Sequence, residues 1–177
     1  MPRRLPTATA LQWITTRYLQ QRFTSAAHLR TLLLARFRRA DAYDPADTAA
    51  YEALVDAEIA RLTAVGALDD ARFAEARAQA LRRRGASGRK IRATLRAKGV
   101  QAELVEDALR DPEAEDDPEL TAARTWARKR HLGPWRSGPA DPERRAKEIA
   151  RLVRNGFDYG TARRVVDEPP PDGGCPE

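Results

Sequence analysis

Six positions in the first third of this 177-residue chain recur in kind sixty-two residues later. Leu11, Leu19, Arg22, Ser25, Leu29 and Leu33 are matched by Phe73, Leu81, Arg84, Ser87, Ile91 and Leu95. A third copy shares its later half with the second at an offset of fifty-seven: Leu95, Gly99, Val100, Val105, Ala108 and Leu109 face Leu152, Gly156, Phe157, Ala162, Val165 and Val166. A chain that repeats its apolar positions while its charges drift is repeating a packing unit. Units this small cannot bury their apolar faces alone and must stack on neighbours. The expected product is an extended helical array, not one globular enzyme.

Composition points the same way. Hydrophobic residues make up 42% of the chain, but many are Ala and only 6% of residues are aromatic, so thin helix-on-helix contacts are easier to build than a deep core. With 33% charged residues and few β-branched runs, an all-α fold is expected. The net charge of +6 attracts polyanions without identifying one. Twenty-eight of the 32 basic residues are Arg, which suits bidentate contacts to phosphate or carboxylate and equally reflects a GC-rich genome. Cys175 is the only cysteine, so there is no internal disulfide and no cysteine metal site. No apolar run has the length of a signal-peptide core or a membrane span, and a cytoplasmic protein without membrane contact is expected.

Capping and breaking residues divide the chain. Residues 1–7 read as a flexible basic arm. Repeat 1 covers 8–67: a helix with Leu11, Ile14, Tyr18 and Leu19 on one face, a second capped by Thr24 or Ser25 and carrying Leu29, Leu32, Leu33 and Phe37, an insertion at 38–44, and a third helix opened by Asp44-Pro45 and closed by Gly66. Repeat 2 covers 68–111. Asp69 or Asp70 caps a helix that stops at Gly85, Ser87 starts another closed by Gly99, and a short helix ends at Asp111-Pro112. Repeat 3 covers 112–168, following an acidic run of Glu113, Glu115, Asp116, Asp117 and Glu119 that reads as a solvated linker and helix N-terminus. Residues 169–177 read as a disordered Pro/Gly tail.

The candidate chemistry is mostly negative. His28 and His131 are the only histidines, and neither has a second metal-ligand type at helical spacing, so no metal, cofactor or catalytic role is expected. Asp69-Asp70 reads as a cap, not as a carboxylate pair. Gly85 to Lys90 lacks the spacing and the preceding strand of a phosphate loop. What stands out is charge. Between Glu75 and Glu103 lie nine basic residues and no acid: Arg77, Arg82, Arg83, Arg84, Arg89, Lys90, Arg92, Arg96 and Lys98. Such a run leaves like-charge repulsion uncompensated, unlike a solvated face that mixes signs, so its part from Arg82 to Lys98 is read as a partner surface together with Arg128, Lys129 and Arg130. A helix-turn-helix over 69–109 is the rival reading. No single helix there joins a basic face to several Asn, Gln or Ser side chains that could read base edges. Of the tryptophans, Trp13 and Trp126 are expected in the core and Trp135 at the surface.

The middle of the chain also carries a recognisable signature. Gly66-Ala67-Leu68-Asp69-Asp70-x-Arg72-Phe73-Ala74, then Gly85, then Leu95-x-x-Lys98-Gly99-Val100, resembles the central block of the RecX family of recombination regulators. Leu152-x-x-x-Gly156-Phe157-x-Tyr159 is similar to that family's C-terminal ending. The resemblance implies three tandem three-helix repeats in an elongated, curved, monomeric molecule with no enzymatic activity. It implies binding to the RecA recombinase filament on single-stranded DNA, with inhibition of its ATPase and strand exchange. Single- or double-stranded DNA is a further partner, and the alternative is a non-sequence-specific DNA-binding protein acting through phosphate contacts. The chain departs from the pattern at Arg77-Ala78, where an aromatic and an aliphatic residue are usual, at Leu81 in place of a base, and at the 38–44 insertion.

Overall fold

A computed structural model describes residues 7–40, 44–110, 117–139 and 141–170. Most of the expected N-terminal arm and C-terminal tail, Cys175, the centre of the 38–44 insertion and the acids from Glu113 to Asp116 lie outside the described residues. The elements are α1 (Ala8–Gln21), α2 (Ala26–Arg38), a 3-10 turn (Pro45–Asp47), α3 (Thr48–Ala64), α4 (Asp70–Arg82), α5 (Gly88–Arg96), α6 (Ala102–Leu109), α7 (Pro118–Lys129), a 3-10 turn (Gly133–Trp135), α8 (Pro142–Arg154) and α9 (Tyr159–Asp167). Among the described residues there is no strand, as the composition predicts.

The helices form two compact units. The first is Met1–Ala74 with Arg96–Leu104, and the second is Glu75–Leu95 with Val105–Glu177. The core of the first unit gathers Leu11, Leu29, Leu33, Leu34, Phe37, Val55, Leu62 and Leu68. That of the second gathers Leu120, Ala123, Ala127, Ile149, Leu152, Phe157, Ala162, Val165 and Val166. Ala is prominent because closely packed helices leave little room between their backbones.

Both units contain the same joint, and it explains much of the recurring sequence. In the first, the Ser25 hydroxyl caps α2, accepting from the His28 N–H at 3.3 Å, and donates to the carbonyl of Lys98, one residue before Gly99. In the second, the Ser87 hydroxyl caps α5, accepting from the Lys90 N–H at 3.3 Å, and donates at 3.0 Å to the carbonyl of Asn155, one residue before Gly156. The residue after each serine donates its backbone N–H to a carboxylate at the start of another helix. Ala26 N bonds Asp70 at 2.8 Å, and Gly88 N bonds Glu119 at 2.9 Å. At each helix start one orphan donor is therefore satisfied by the local serine cap and a second by a tertiary carboxylate. Ser25 and Ser87 are both fully buried. The recurring serine and glycine positions are the two sides of one repeated contact.

These contacts settle several alternatives. Ser25, not Thr24, caps α2. Asp69 caps α4 through the Arg72 N–H at 2.9 Å, which frees Asp70 for Ala26. Glu119 proves to be part of a joint and not a solvated acid, while Asp117 caps α7 as its position suggests. Phe73, Leu95 and Phe157 are simply buried.

Three expected placements are corrected. Trp13 is 65% exposed, because the buried stripe of α1 runs through Leu11 and Thr15 and Trp13 points about 200° away from Leu11. Leu32 is also at the surface, and Leu34 takes a core position in its place. Trp135 packs against the second core instead of standing in solvent, since its 3-10 turn folds onto α7 and α9. Trp126 is half-buried against the same core.

A buried carboxylate in the first unit was not anticipated. Glu58 lies between Val55 and Leu62 on the inner face of α3 and accepts from Thr15 Oγ1 at 2.5 Å and from both Arg61 Nε and Nη2 at 2.8 Å. The Arg61 guanidinium holds its carboxyl below the usual range, with help from Thr15 and against the opposing effect of burial. A folded-state value below the unfolded one adds stability above the unfolded pKa, and that stability is lost as pH falls through the folded pKa. Wild-type stability should therefore drop on the acid side more steeply than that of Glu58→Gln. Urea unfolding followed across pH 3 to 7, roughly the carboxylate range, checks this, and parallel acid limbs would refute it.

Candidate functional site

The eleven basic residues proposed as a surface are divided between the two units. Nine belong to the second unit, whereas Arg96 and Lys98 belong to the first. Several also have structural partners that the sequence conceals. Arg92 makes a two-pronged contact with Glu106, Nε at 2.8 Å and Nη2 at 2.9 Å, so the acid missing from its own segment arrives from α6. Arg82 donates from Nη2 to the Leu109 carbonyl at 2.5 Å. Arg89 reaches the Val153 carbonyl and Lys90 the Asn155 side chain, each at 3.3 Å, so both sit at the C-terminal end of α8, where its dipole favours cations. In the first unit the Lys98 ammonium lies 2.9 Å from His28 Nε2. Burial, then the Lys98 charge, lowers the pKa of His28 and keeps the imidazole neutral, as an acceptor facing a cation must be. The idea of nine uncompensated bases is thus corrected: Glu106 answers Arg92, and the carboxyl ends of α6 and α8 answer Arg82, Arg89 and Lys90.

The cations left over are grouped. Arg83 and Arg84 are exposed at the C-terminal end of α4, and Arg128, Lys129 and Arg130 are exposed at that of α7. The two ends meet within the second unit. Lys129 Nζ lies 3.4 Å from the Arg84 carbonyl, and the backbone of Gly85 packs directly on that of Trp126. Arg130 stacks over the Trp126 ring at 5.4 Å. Gly85 makes this approach possible: its φ is +80°, and a Cβ there would stand 2.7 Å from Trp126 N. Two basic segments more than forty residues apart in sequence become one cluster. Among the described residues, Arg83, Arg84 and Arg128 have no carboxylate partner.

Among the described residues no group of three or more His, Cys, Asp or Glu side chains could hold a metal ion. A cleft of about 420 Å³ beside the cluster mixes Glu75 and Asp107 with Arg82, Arg83 and Arg110, which suits neither an anion nor a cation. No helix among the described residues is long and apolar enough to cross a membrane.

The family model described as RecX, second three-helix domain, matches residues 69–109. The regulatory protein RecX of Myxococcus xanthus is 38% identical over 154 residues, 86% of this chain and 82% of that protein. That of Agrobacterium fabrum is 31% identical over 91% of this chain and 85% of its own length. The chain belongs to the RecX family. A third RecX, from Thermus thermophilus, is 35% identical over 82% of both chains. These relatives are named as regulatory proteins, not as enzymes. The matched RecX domain starts at the capping Asp69 and takes in Asp70, Phe73, Gly85, Leu95 and Gly99, the residues that build the joints and the buried positions between them. The all-α repeat fold implied by the signature is the fold observed. Of the departures from the RecX pattern, Ala78 is fully buried, while Arg77 and Leu81 are half-buried.

Proposed function

We propose that this chain regulates the RecA recombinase by binding its filament on single-stranded DNA and inhibiting its ATPase and strand exchange. The observation that supports this most directly is the cluster of Arg83, Arg84, Arg128, Lys129 and Arg130, a concentrated positive surface built from two repeats. The repeats are taken at 8–67, 68–111 and 112–168. A protein of tandem repeats meets several subunits of a filament at once and gains avidity without a deep pocket. Its effect on the filament depends on contacts that differ between the filament's states.

The test is recombinase ATPase activity at saturating single-stranded DNA, with the wild-type chain and with Arg83→Glu, Arg84→Glu, Arg128→Glu combined. These three side chains are exposed and have no carboxylate partner among the described residues, unlike Arg89 and Arg92, whose reversal would break contacts within the fold. We expect the triple variant to be folded and to inhibit poorly. A folded variant that inhibits like the wild type refutes the assignment. Under the alternative, phosphate binding alone, excess DNA relieves wild-type inhibition. The triple variant then also loses salt dependence, by about 0.7 to 0.9 in logarithmic slope per phosphate contact removed. Loss of inhibition with unchanged binding to free DNA is the expected result, and it assigns the cluster to the recombinase itself.

A further inference from the structure

The exposed tryptophan of α1 is unexplained by anything above. Trp13 is 65% exposed and lines a groove of about 500 Å³ in the first unit, with Ile14 and Ala10 beside it and Arg36 of α2 opposite. Arg17, one turn on, lies over the indole ring at 5.6 Å from its centroid. A singly exposed aromatic is ordinary, and what marks Trp13 is the groove it lines and the two arginines beside it. Its electrostatic surroundings are one-sided. Helices α1 and α2 carry Arg17, Arg30, Arg36 and Arg38 and no acidic residue. Of the acids of α3, Asp56 is held by Arg30 at 2.6 Å, Glu58 is buried against Arg61 and Thr15, and Glu52 acts on Arg30. Among the described residues, Arg17 and Arg36 have no carboxylate partner.

An indole with Arg17 over its ring and Arg36 in the same groove, neither paired to a carboxylate among the described residues, fits a ligand that supplies both a stacking ring and a negative charge. An unpaired nucleotide does so: its base stacks on an aromatic side chain whatever its identity, and its phosphate meets Arg. A duplex keeps its bases stacked on one another and offers only phosphates. An acidic peptide would satisfy the arginines but leave the indole without a stacking partner. We propose that Trp13, with Arg17 and Arg36, forms a single-stranded nucleic-acid site in which one base stacks on the indole. This site belongs to the first unit and the cluster assigned to the recombinase to the second, and the site does not depend on that assignment.

The test measures binding of the full chain to a labelled thymidine oligonucleotide of about 16 nucleotides, and to an abasic strand of the same length, with no recombinase present. Trp13→Ala should weaken binding to the thymidine strand by about 5- to 140-fold, the range for one stacked base. Trp13→Phe should retain most of the affinity. On the abasic strand, wild type and both variants should bind alike, because only phosphates remain. The site is refuted if Trp13→Ala binds the thymidine strand within twofold of wild type, or if it loses as much on the abasic strand. It is also refuted if polyglutamate displaces the thymidine strand from wild type and Trp13→Phe but not from Trp13→Ala, which would mark the groove as an acidic-peptide site. Circular dichroism of the variants guards against misfolding, and the exposure of Trp13 makes an unchanged helix signal the expected result. Loss of inhibition in the triple arginine variant leaves this readout untouched, so the two assignments fail separately.

Discussion

Glu148→Ala should unfold the second unit far more easily than any surface substitution, with a loss of about 3–5 kcal/mol in urea unfolding. Its carboxylate is buried, with a side-chain exposure of 5%, and holds three groups together. It accepts from the Gly133 N–H at 2.9 Å, pairs with Arg136 at 2.9 Å, and meets Arg144 at 3.4 Å. Arg136 is itself only 15% exposed and spends another N–H on the Val166 carbonyl at 2.9 Å. Removing the carboxylate leaves a nearly buried guanidinium without its counter-charge and a buried amide without an acceptor, and both penalties fall on the folded state. The double variant Glu148→Leu, Arg136→Met should lose less than Glu148→Ala, because it removes both charges together. If Glu148→Ala costs less than about 1 kcal/mol, the typical net worth of an ordinary hydrogen bond, the buried network does not carry the stability assigned to it.

Glu148 also shows where sequence reading stops. A Glu in the Arg- and Ala-rich segment of α8 looks like one more solvated charge, and the same holds for Glu58 in α3. The signal that could have found both is positional. Glu58 falls on the Val55 to Leu62 stripe, and Glu148 stands four residues before Leu152 and next to Ile149, so each occupies a core position of an amphipathic helix. By contrast, the apolar repeat was plain in the sequence, because packing constrains residue type at fixed spacing. Ser25, Ser87, Gly99 and Gly156 were visible as recurrences, but whether they serve local caps or tertiary joints depends on atoms far away in sequence. The basic run failed as an electrostatic argument for the same reason. Glu106 lies outside the run yet answers Arg92, while Arg83 and Arg84 gain their neighbours from α7, and neither pairing can be counted along the chain.

Gly85→Ala tests whether that convergence depends on backbone contact, and Gly66→Ala is its internal control. Both glycines have positive φ, +80° and +68°, a region where a Cβ costs about 1–2 kcal/mol. They differ in surroundings. A Cβ at Gly66 would meet nothing within 4 Å, so Gly66→Ala should show the conformational cost alone. A Cβ at Gly85 would stand 2.7 Å from Trp126 N and 3.0 Å from the Ala122 carbonyl. Both are backbone atoms of α7 and cannot swing aside as a side chain would. Overpacking of this kind adds about 1–3 kcal/mol, which brings Gly85→Ala to roughly 2–5 kcal/mol in total. The position equivalent to Gly85 in the first repeat, sixty-two residues earlier, is Phe23, whose ring packs edge-on against Phe73 at 5.5 Å. One copy of the contact is therefore spaced by aromatic rings and the other is closed to backbone distance. If α7 is pushed away from α4, Arg128 and Lys129 move off Arg83 and Arg84. Gly85→Ala should then weaken inhibition of the recombinase at temperatures where the variant is still folded, while Gly66→Ala inhibits normally. Equal stability losses in the two variants would mean that the α4 end and α7 are not in backbone contact, and the cluster built on that contact would fall with it.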